Sequence, residues 1–195
     1  MLRTDQLSMR KLQARLEAVV ISPNDPAAMV RFAAECRELG YRYVFDPGQS
    51  IPNLSGEDLV GAIKGAMLVI GNDYEMEMIR SKTGMGAKDL LELTPLVVVT
   101  LGEKGARLIT AHEEVAISAV KPEHLVDPTG AGDAYRAGLV VGLLRDLDLQ
   151  TTGQLAGLMG TYAIEQKGTQ EHAFNMEQFA ARYAKAWGSE LPALV

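Results

Sequence analysis

The run Asp127-Pro128-Thr129-Gly130-Ala131-Gly132-Asp133-Ala134-Tyr135-Arg136-Ala137-Gly138 joins a small-residue turn to a single acid and leads into the apolar stretch Leu139-Val140-Val141-Gly142-Leu143-Leu144. Gly130, Ala131 and Gly132 leave backbone N–H groups uncovered at the start of a helix, where the macrodipole adds positive potential. Such a site binds a phosphoryl group. Asp133 does not help to hold an anion. It makes sense as a base that removes a proton from a hydroxyl attacking phosphorus. The same residues also fit a helix capped by Asp127 or Asp133 after a glycine turn, and spacing alone does not separate the two readings.

Other residues carry weaker signals. Asn72 and Glu75 lie one helical turn apart and can face one site. One carboxylate plus water suits magnesium, and a helix N-cap with a first-turn acid suits the same pair. Thr100 and Gly102 offer a hydroxyl and a bare backbone to phosphate, or form a turn over Gly102-Glu103-Lys104-Gly105 that needs no ligand. Asp46 either reaches the magnesium shell or caps the Pro47-Gly48 turn; the turn role is favoured. Lys104 and Arg136 are basic candidates for phosphate, with Arg136 nearer the Asp133 turn. Met67, Met76, Met78, Met85, Met159 and Met176 read as core filling. No Gly-x-x-x-x-Gly-Lys-Ser/Thr loop is present, so the chain is not a P-loop NTPase. Gly84-Met85-Gly86 lacks the third glycine and the preceding strand of a dinucleotide fingerprint. No Gly-x-Ser-x-Gly elbow points to a serine hydrolase.

The segment from Asp127 to Gly138 resembles the C-terminal signature of the ribokinase, or PfkB, family of carbohydrate and nucleoside kinases. Asn72-Asp73-Tyr74-Glu75 resembles that family's Asn-x-x-Glu motif, and Thr100-Leu101-Gly102-Glu103-Lys104-Gly105 its Thr-x-Gly-x-x-Gly nucleotide loop. Ala163 to Gln170 resembles the helix end and loop beside the adenine. The four motifs occur in the family's order, and the resemblance covers residues 18 to 185. It implies transfer of the ATP γ-phosphoryl group to a sugar or nucleoside. Asp133 would be the base, and Gly130, Ala131 and Gly132 would stabilise the transferred group. Thr100, Gly102, Gly105, Thr129, Gly168 and Arg136 would bind nucleotide. Asn72 and Glu75 would organise Mg2+, and Asp127, with Thr129 and the Gly168 loop, a monovalent cation such as K+. At Ala156, where the family often carries Asn or His, contacts to the base would be apolar. Family members are longer, and their N-terminal glycine-rich substrate site and β-lid have no counterpart here. The chain is therefore expected to be the nucleotide-binding C-terminal portion, truncated at its N-terminus. The competing expectation is a non-catalytic nucleotide-binding module or an inactive truncated product.

The elements that must position these residues are legible in outline. Apolar runs at 18–22, 41–45, 67–71 and 96–100 read as strands buried on both faces, followed by 106–110 and an alternating edge strand at 114–119. Helices are expected at 5–17, from Asp25-Pro26 to Gly40, from Ser55, near 73–81 and 86–92, and near 131–146, 151–166 and 175–187. Strands alternating with helices imply an α/β fold: a doubly wound, mostly parallel sheet with helices on both faces, as one domain over 1–195. Ligands of such sheets bind beyond the C-terminal strand ends, where Asp46, Asn72, Thr100 and the Gly130 turn all fall.

Composition sets the outer limits. The 195 residues are 47% hydrophobic and 23% charged, ordinary for a globular protein. A net charge of −6 with no basic stripe argues against nucleic acid as partner. No apolar run approaches a membrane span, and the first residues lack a signal peptide's apolar core. The single cysteine, Cys36, reads as a core residue and suits a reducing cytoplasm. An exposed sheet edge left by the missing third predicts self-association.

Overall fold

The structure, a computed structural model, describes residues 7–12 and 15–193. Three short strands rich in Val, Ile, Tyr and Phe open the chain: β1 (Val19–Ile21), β2 (Tyr43–Phe45) and β3 (Leu68–Asn72). Then come β4 (Val97–Thr100), β5 (Ala106–Ile109) and β6 (Glu114–Ile117). These residue types favour pleated, buried surface. The order across the sheet is β1-β2-β3-β4-β5-β6. The first four strands are parallel, with Val19 opposite Tyr43, Val44 opposite Leu68 and Asn72 opposite Thr100.

Parallel neighbours need crossovers. Three are the helices α1 (Pro26–Leu39), α2 (Gly56–Ile63) and α3 (Asp73–Thr83). Their boundaries follow capping chemistry. Asp25 accepts the Ala28 N–H at 2.9 Å ahead of Pro26, Gly40 ends α1 in the left-handed conformation, and Ser55 and Asp58 form a capping box on α2. Three further helices, α4 (Ala131–Leu144), α5 (Leu149–Ile164) and α6 (Met176–Trp187), complete the chain.

The chain, expected as one domain, divides into two compact units. The first runs through Leu101 and includes Arg107–Glu114; the second comprises Gly102–Ala106 and Val115 onward. In the first, Tyr43, Phe45, Val69, Val97 and Val99 pack with Phe32 of α1, Leu59 and Ile63 of α2 and Ile79 of α3. Residues of the opposite parity, Val44, Leu68, Ile70 and Val98, are buried as well. Both faces of the central strands are therefore covered, which explains their unbroken apolar runs. Cys36 lies in this core, its thiol pushed up to about 11, first by burial and then by Glu35.

In the second unit, α4 and α5 approach so closely that a Cβ on Gly138 would stand 2.5 Å from Ala156 Cα, and one on Gly142 2.7 Å from Thr152 Oγ1. Leu155, Leu158, Phe179 and Tyr183 form the α5–α6 core, with Tyr162 and Phe174 against it.

Several expectations are corrected. β1 is an edge strand, as is β6, and Val20 is 43% exposed, so burial on both faces fails there. Among the described residues of 5–17 only a 3-10 turn at Met9–Lys11 forms, and the expected helix does not. Residues 86–92 form a 3-10 turn, Asp89–Glu92, because only Leu90 is buried and the stretch is too short for an amphipathic face. Met176 is exposed, unlike the core methionines.

Candidate active site

The second unit gathers the residues singled out around Asp133. Asp25, Ser55, Asn72, Asp148 and Asn175 cap α1, α2, α3, α5 and α6 with a side-chain acceptor. At α4 the cap position is Gly130, and no side chain caps the helix. Asp127 and Asp133 are therefore not its caps. Ala131 N–H reaches Pro128 O at 3.3 Å and Ala134 N–H bonds Gly130 O at 3.0 Å. The N–H groups of Gly132 and Asp133 take no acceptor among the described residues. Two donors at the positive end of a 14-residue helix are left for an anion.

The turn is held from behind. Gly130 has φ +87°, and a Cβ there would meet Thr169 Cα at 2.9 Å and Thr169 O at 3.0 Å. Glycine is required both by the left-handed backbone and by the neighbouring loop. Gly132 differs, for a Cβ there would meet nothing within 4 Å. The protein does not need that glycine for its own packing; the bare surface faces open space.

Asp127 ties the two loops of this unit. Its Oδ1 accepts Thr129 N–H at 2.9 Å and its Oδ2 accepts Gly168 N–H at 3.0 Å. Bonds from the Thr129 hydroxyl, the Thr129 N–H and the Gly168 N–H hold this carboxyl down to about 2. The N–H groups of Val126 and Asp127 both bond Ile164 O, at 2.9 and 3.1 Å, so the segment entering the turn is anchored to the end of α5. Thr129, Gly130 and Gly168 thus belong to one assembly.

Asp133 stands in the first turn of α4 with its side chain 67% exposed. Arg136, only 13% exposed, pairs with its Oδ1. The guanidinium expected on phosphate lies beside the acid, bonded to its Oδ1. Ala156 is fully buried between α5 and α4. The expectation that it faces a base is corrected: helix–helix contact sets its small size.

The first unit holds Asn72, Glu75, Thr100 and Asp46. Asn72 Oδ1 accepts Glu75 N–H at 2.8 Å, and Glu75 Oε2 accepts Asn72 N–H at 2.7 Å. This reciprocal box caps α3 and leaves Glu75 Oε1 outside it. Asn72 and Thr100 are register partners at the ends of β3 and β4. Asp46 is buried, and its N–H extends the β1–β2 ladder to Ile21 O at 2.9 Å. Gly102 and Gly105 close a 3-10 turn through Gly105 N–H to Gly102 O at 3.0 Å. A Cβ on Gly105 would lie 1.9 Å from Ile117 O, so backbone approach alone demands that glycine. Among the described residues no three His, Cys, Asp or Glu side chains gather as a metal cluster. Asn72 and Glu75 belong to one unit and Asp127 to the other. Sequence reasoning missed Glu165 and Arg182, which form a partly buried bidentate pair between the end of α5 and α6; 17 residues separate them, and no local pattern marks them.

Known proteins resemble this chain in sequence and fold. The profile of the pfkB family carbohydrate kinases matches residues 5–175. A nucleoside kinase of Methanothermobacter thermautotrophicus is 36% identical over 176 residues, 90% of this chain and 56% of that protein. The Burkholderia thailandensis nucleoside kinase in complex with inosine superimposes with a TM-score of 0.88 at 33% identity, covering 91% of this chain and 59% of that one. Its complex with ADP-inosine gives the same TM-score. The chain spans little more than half the length of these relatives.

Proposed function

Because the chain belongs to the pfkB family of carbohydrate kinases, we propose that it is the nucleotide-binding, proton-abstracting portion of an ATP-dependent nucleoside kinase. The observation that carries this reading is the start of α4: the one α-helix of the described chain without a side-chain cap opens with two unpaired N–H groups beside an exposed carboxylate. A nucleoside is favoured over a sugar as acceptor by the relatives, whose names and bound ligands are nucleoside-related.

The chemistry follows from these atoms. The N–H groups of Gly132 and Asp133 hold the charge that builds on the transferred phosphoryl group. Oδ2 of Asp133 takes the proton of the attacking hydroxyl while Arg136 keeps Oδ1. Thr129 and Gly168, fixed by Asp127, shape the loops that meet the nucleotide. Magnesium fits the free Oε1 of Glu75, since this ion takes one or two carboxylates and keeps several waters; bound, it would neutralise phosphate charge. A monovalent cation such as K+ beside Asp127 and Thr129 would steady the turn.

The alternative is a module that binds nucleotide and transfers nothing. The exposed Val20 on edge strand β1 supports self-association, or a partner chain that covers it. Among the described residues no helix is long and apolar enough to cross a membrane, and the buried lone cysteine suits a cytoplasmic setting. Titration calorimetry with ADP and magnesium, followed by ADP-release assays over inosine, adenosine, cytidine and ribose, tests the reading. Nucleotide binding with transfer to a nucleoside supports the kinase, and binding without transfer supports the module. No heat at millimolar ADP refutes both.

A further inference from the structure

The family profile ends at residue 175, one residue before α6 begins. Yet α6 reaches back towards the nucleotide-side loops through one side chain. Arg182 donates from both terminal nitrogens to Glu165, Nη1 to Oε2 at 2.6 Å and Nη2 to Oε1 at 2.5 Å. The two side chains are 14% and 10% exposed. The Arg182 guanidinium also lies 4.7 Å over the Tyr162 ring, and Tyr162 packs against Phe174 and Phe179. Glu165 in turn accepts the backbone N–H of Glu123 at 2.6 Å. Burial would push its carboxyl up, but the Arg182 and Glu123 bonds outweigh this and keep it low.

Glu123 lies four residues before Asp127, and Glu165 directly follows Ile164, whose carbonyl holds Val126 and Asp127. The segment 123–127 is therefore fastened to the end of α5 at two places, and only one of them depends on a side chain. We propose that the Arg182–Glu165 pair is a positioning clamp, by which α6 sets the path of residues 123–127 and through it the α4 phosphoryl turn. The inference rests on the nucleotide-binding reading above but has a readout that does not need it. Bidentate charged hydrogen bonds rank among the stronger ones, and losing one partner leaves the other partly buried without its counter-charge.

The test uses the full chain with Arg182→Met and Glu165→Gln. Phe179→Leu serves as a control that loosens the α6 core and the aromatic stack beneath the guanidinium while keeping both clamp side chains and their hydrogen bonds. Amide hydrogen exchange at Glu123, Val126, Asp127 and Gly168 is compared with ADP affinity by calorimetry. Both clamp variants are expected to speed exchange at Glu123 and Asp127 at least tenfold and to weaken ADP about tenfold, the size of effect typical of coupling through packed networks. Phe179→Leu lowers the melting temperature but leaves those amides and the ADP affinity within about twofold. Unchanged exchange at Glu123 in both clamp variants overturns the proposal. So does a Phe179→Leu loss of affinity equal to theirs, because general loosening of α6 would then suffice. If the unaltered chain binds no ADP, the nucleotide reading fails and the exchange result alone decides the clamp.

Discussion

Two glycines two residues apart at the start of α4 should respond in opposite ways to the same substitution. Gly130 carries φ +87°, and a Cβ there would press on Thr169 at 2.9 and 3.0 Å. A left-handed backbone costs a non-glycine residue roughly 1–2 kcal/mol, and contacts this close, against backbone, add to it. Gly130→Ala is thus expected to destabilise the chain by about 2–3 kcal/mol. At the size of this chain that corresponds to a fall of roughly 4–12 °C in melting temperature. Gly132 lies inside the helix, and a Cβ there would meet nothing within 4 Å. Gly132→Ala should leave stability unchanged or raise it by about 0.5 kcal/mol, since alanine loses less entropy than glycine in a helix. The added methyl group nevertheless stands where a phosphoryl group would approach the bare backbone. Loss of one N–H bond to a charged ligand is worth about 1.5–3 kcal/mol, which is roughly 10- to 100-fold in Kd for ADP. Differential scanning calorimetry gives the first quantity and titration with ADP and magnesium the second. A Gly132→Ala protein that is as stable as the original and binds ADP equally well would remove the α4 turn from phosphate binding.

Three further outcomes are expected. Asp133→Asn should keep ADP affinity within about threefold, because the carboxylate repels rather than holds the anion. It should cut any phosphoryl transfer by roughly 10²–10⁴-fold in an ADP-release assay; a variant keeping a tenth of the rate would exclude Asp133 as base. The Asp127 carboxyl is lowered to about 2 by Thr129 and Gly168. A group lowered on folding contributes stability that is complete above its unfolded value near 3.9 and is lost as pH falls towards 2. Protection of the Gly168 amide should therefore fade between about pH 4 and pH 2, and Asp127→Asn should abolish that titration; a pH-independent Gly168 amide would contradict the tie. Finally, Val20→Lys should reduce any self-association seen by light scattering, since a charge blunts a sheet edge. An unchanged mass distribution in a protein that does self-associate would place the contact elsewhere.

What could be read in advance divides by the range of the interactions involved. Asp25-Pro26 and Gly40 marked both ends of α1 because capping is local, and the structure shows the Asp25–Ala28 bond and the left-handed glycine. The parallel strands were legible from runs such as Leu96 to Val99, whose residues are buried irrespective of parity. Reading the same rule into 18–22 failed at Val20, because a run of apolar residues does not say whether a neighbour covers it. Residues 86–92 failed for a similar reason: one buried leucine cannot be told from an amphipathic face over so few positions. At the site, the Asn72–Glu75 spacing was visible, while its reciprocal capping geometry needed coordinates. The place of Ala156 was not legible, since nothing in its own segment records that Gly138 lies against it. The Glu165–Arg182 pair joins two helices, and no periodicity encodes it.

The contact between α4 and α5 has a mechanical consequence. With Gly138 against the Ala156 backbone and Gly142 against Thr152, the two helices interlock at backbone distance, like teeth of a ratchet. Sliding α4 by one residue would advance it about 1.5 Å and swing the opposing positions about 100° away, driving Leu139 or Val141 into space sized for hydrogen. At Gly138 the neighbour is the Ala156 and Leu155 backbone, which cannot rotate aside as a side chain can. The start of α4 therefore takes its position from a fixed helix register as well as from the tied loop that leads into it. A nucleotide phosphate would meet donors already in place and lose little of its binding energy to arranging them.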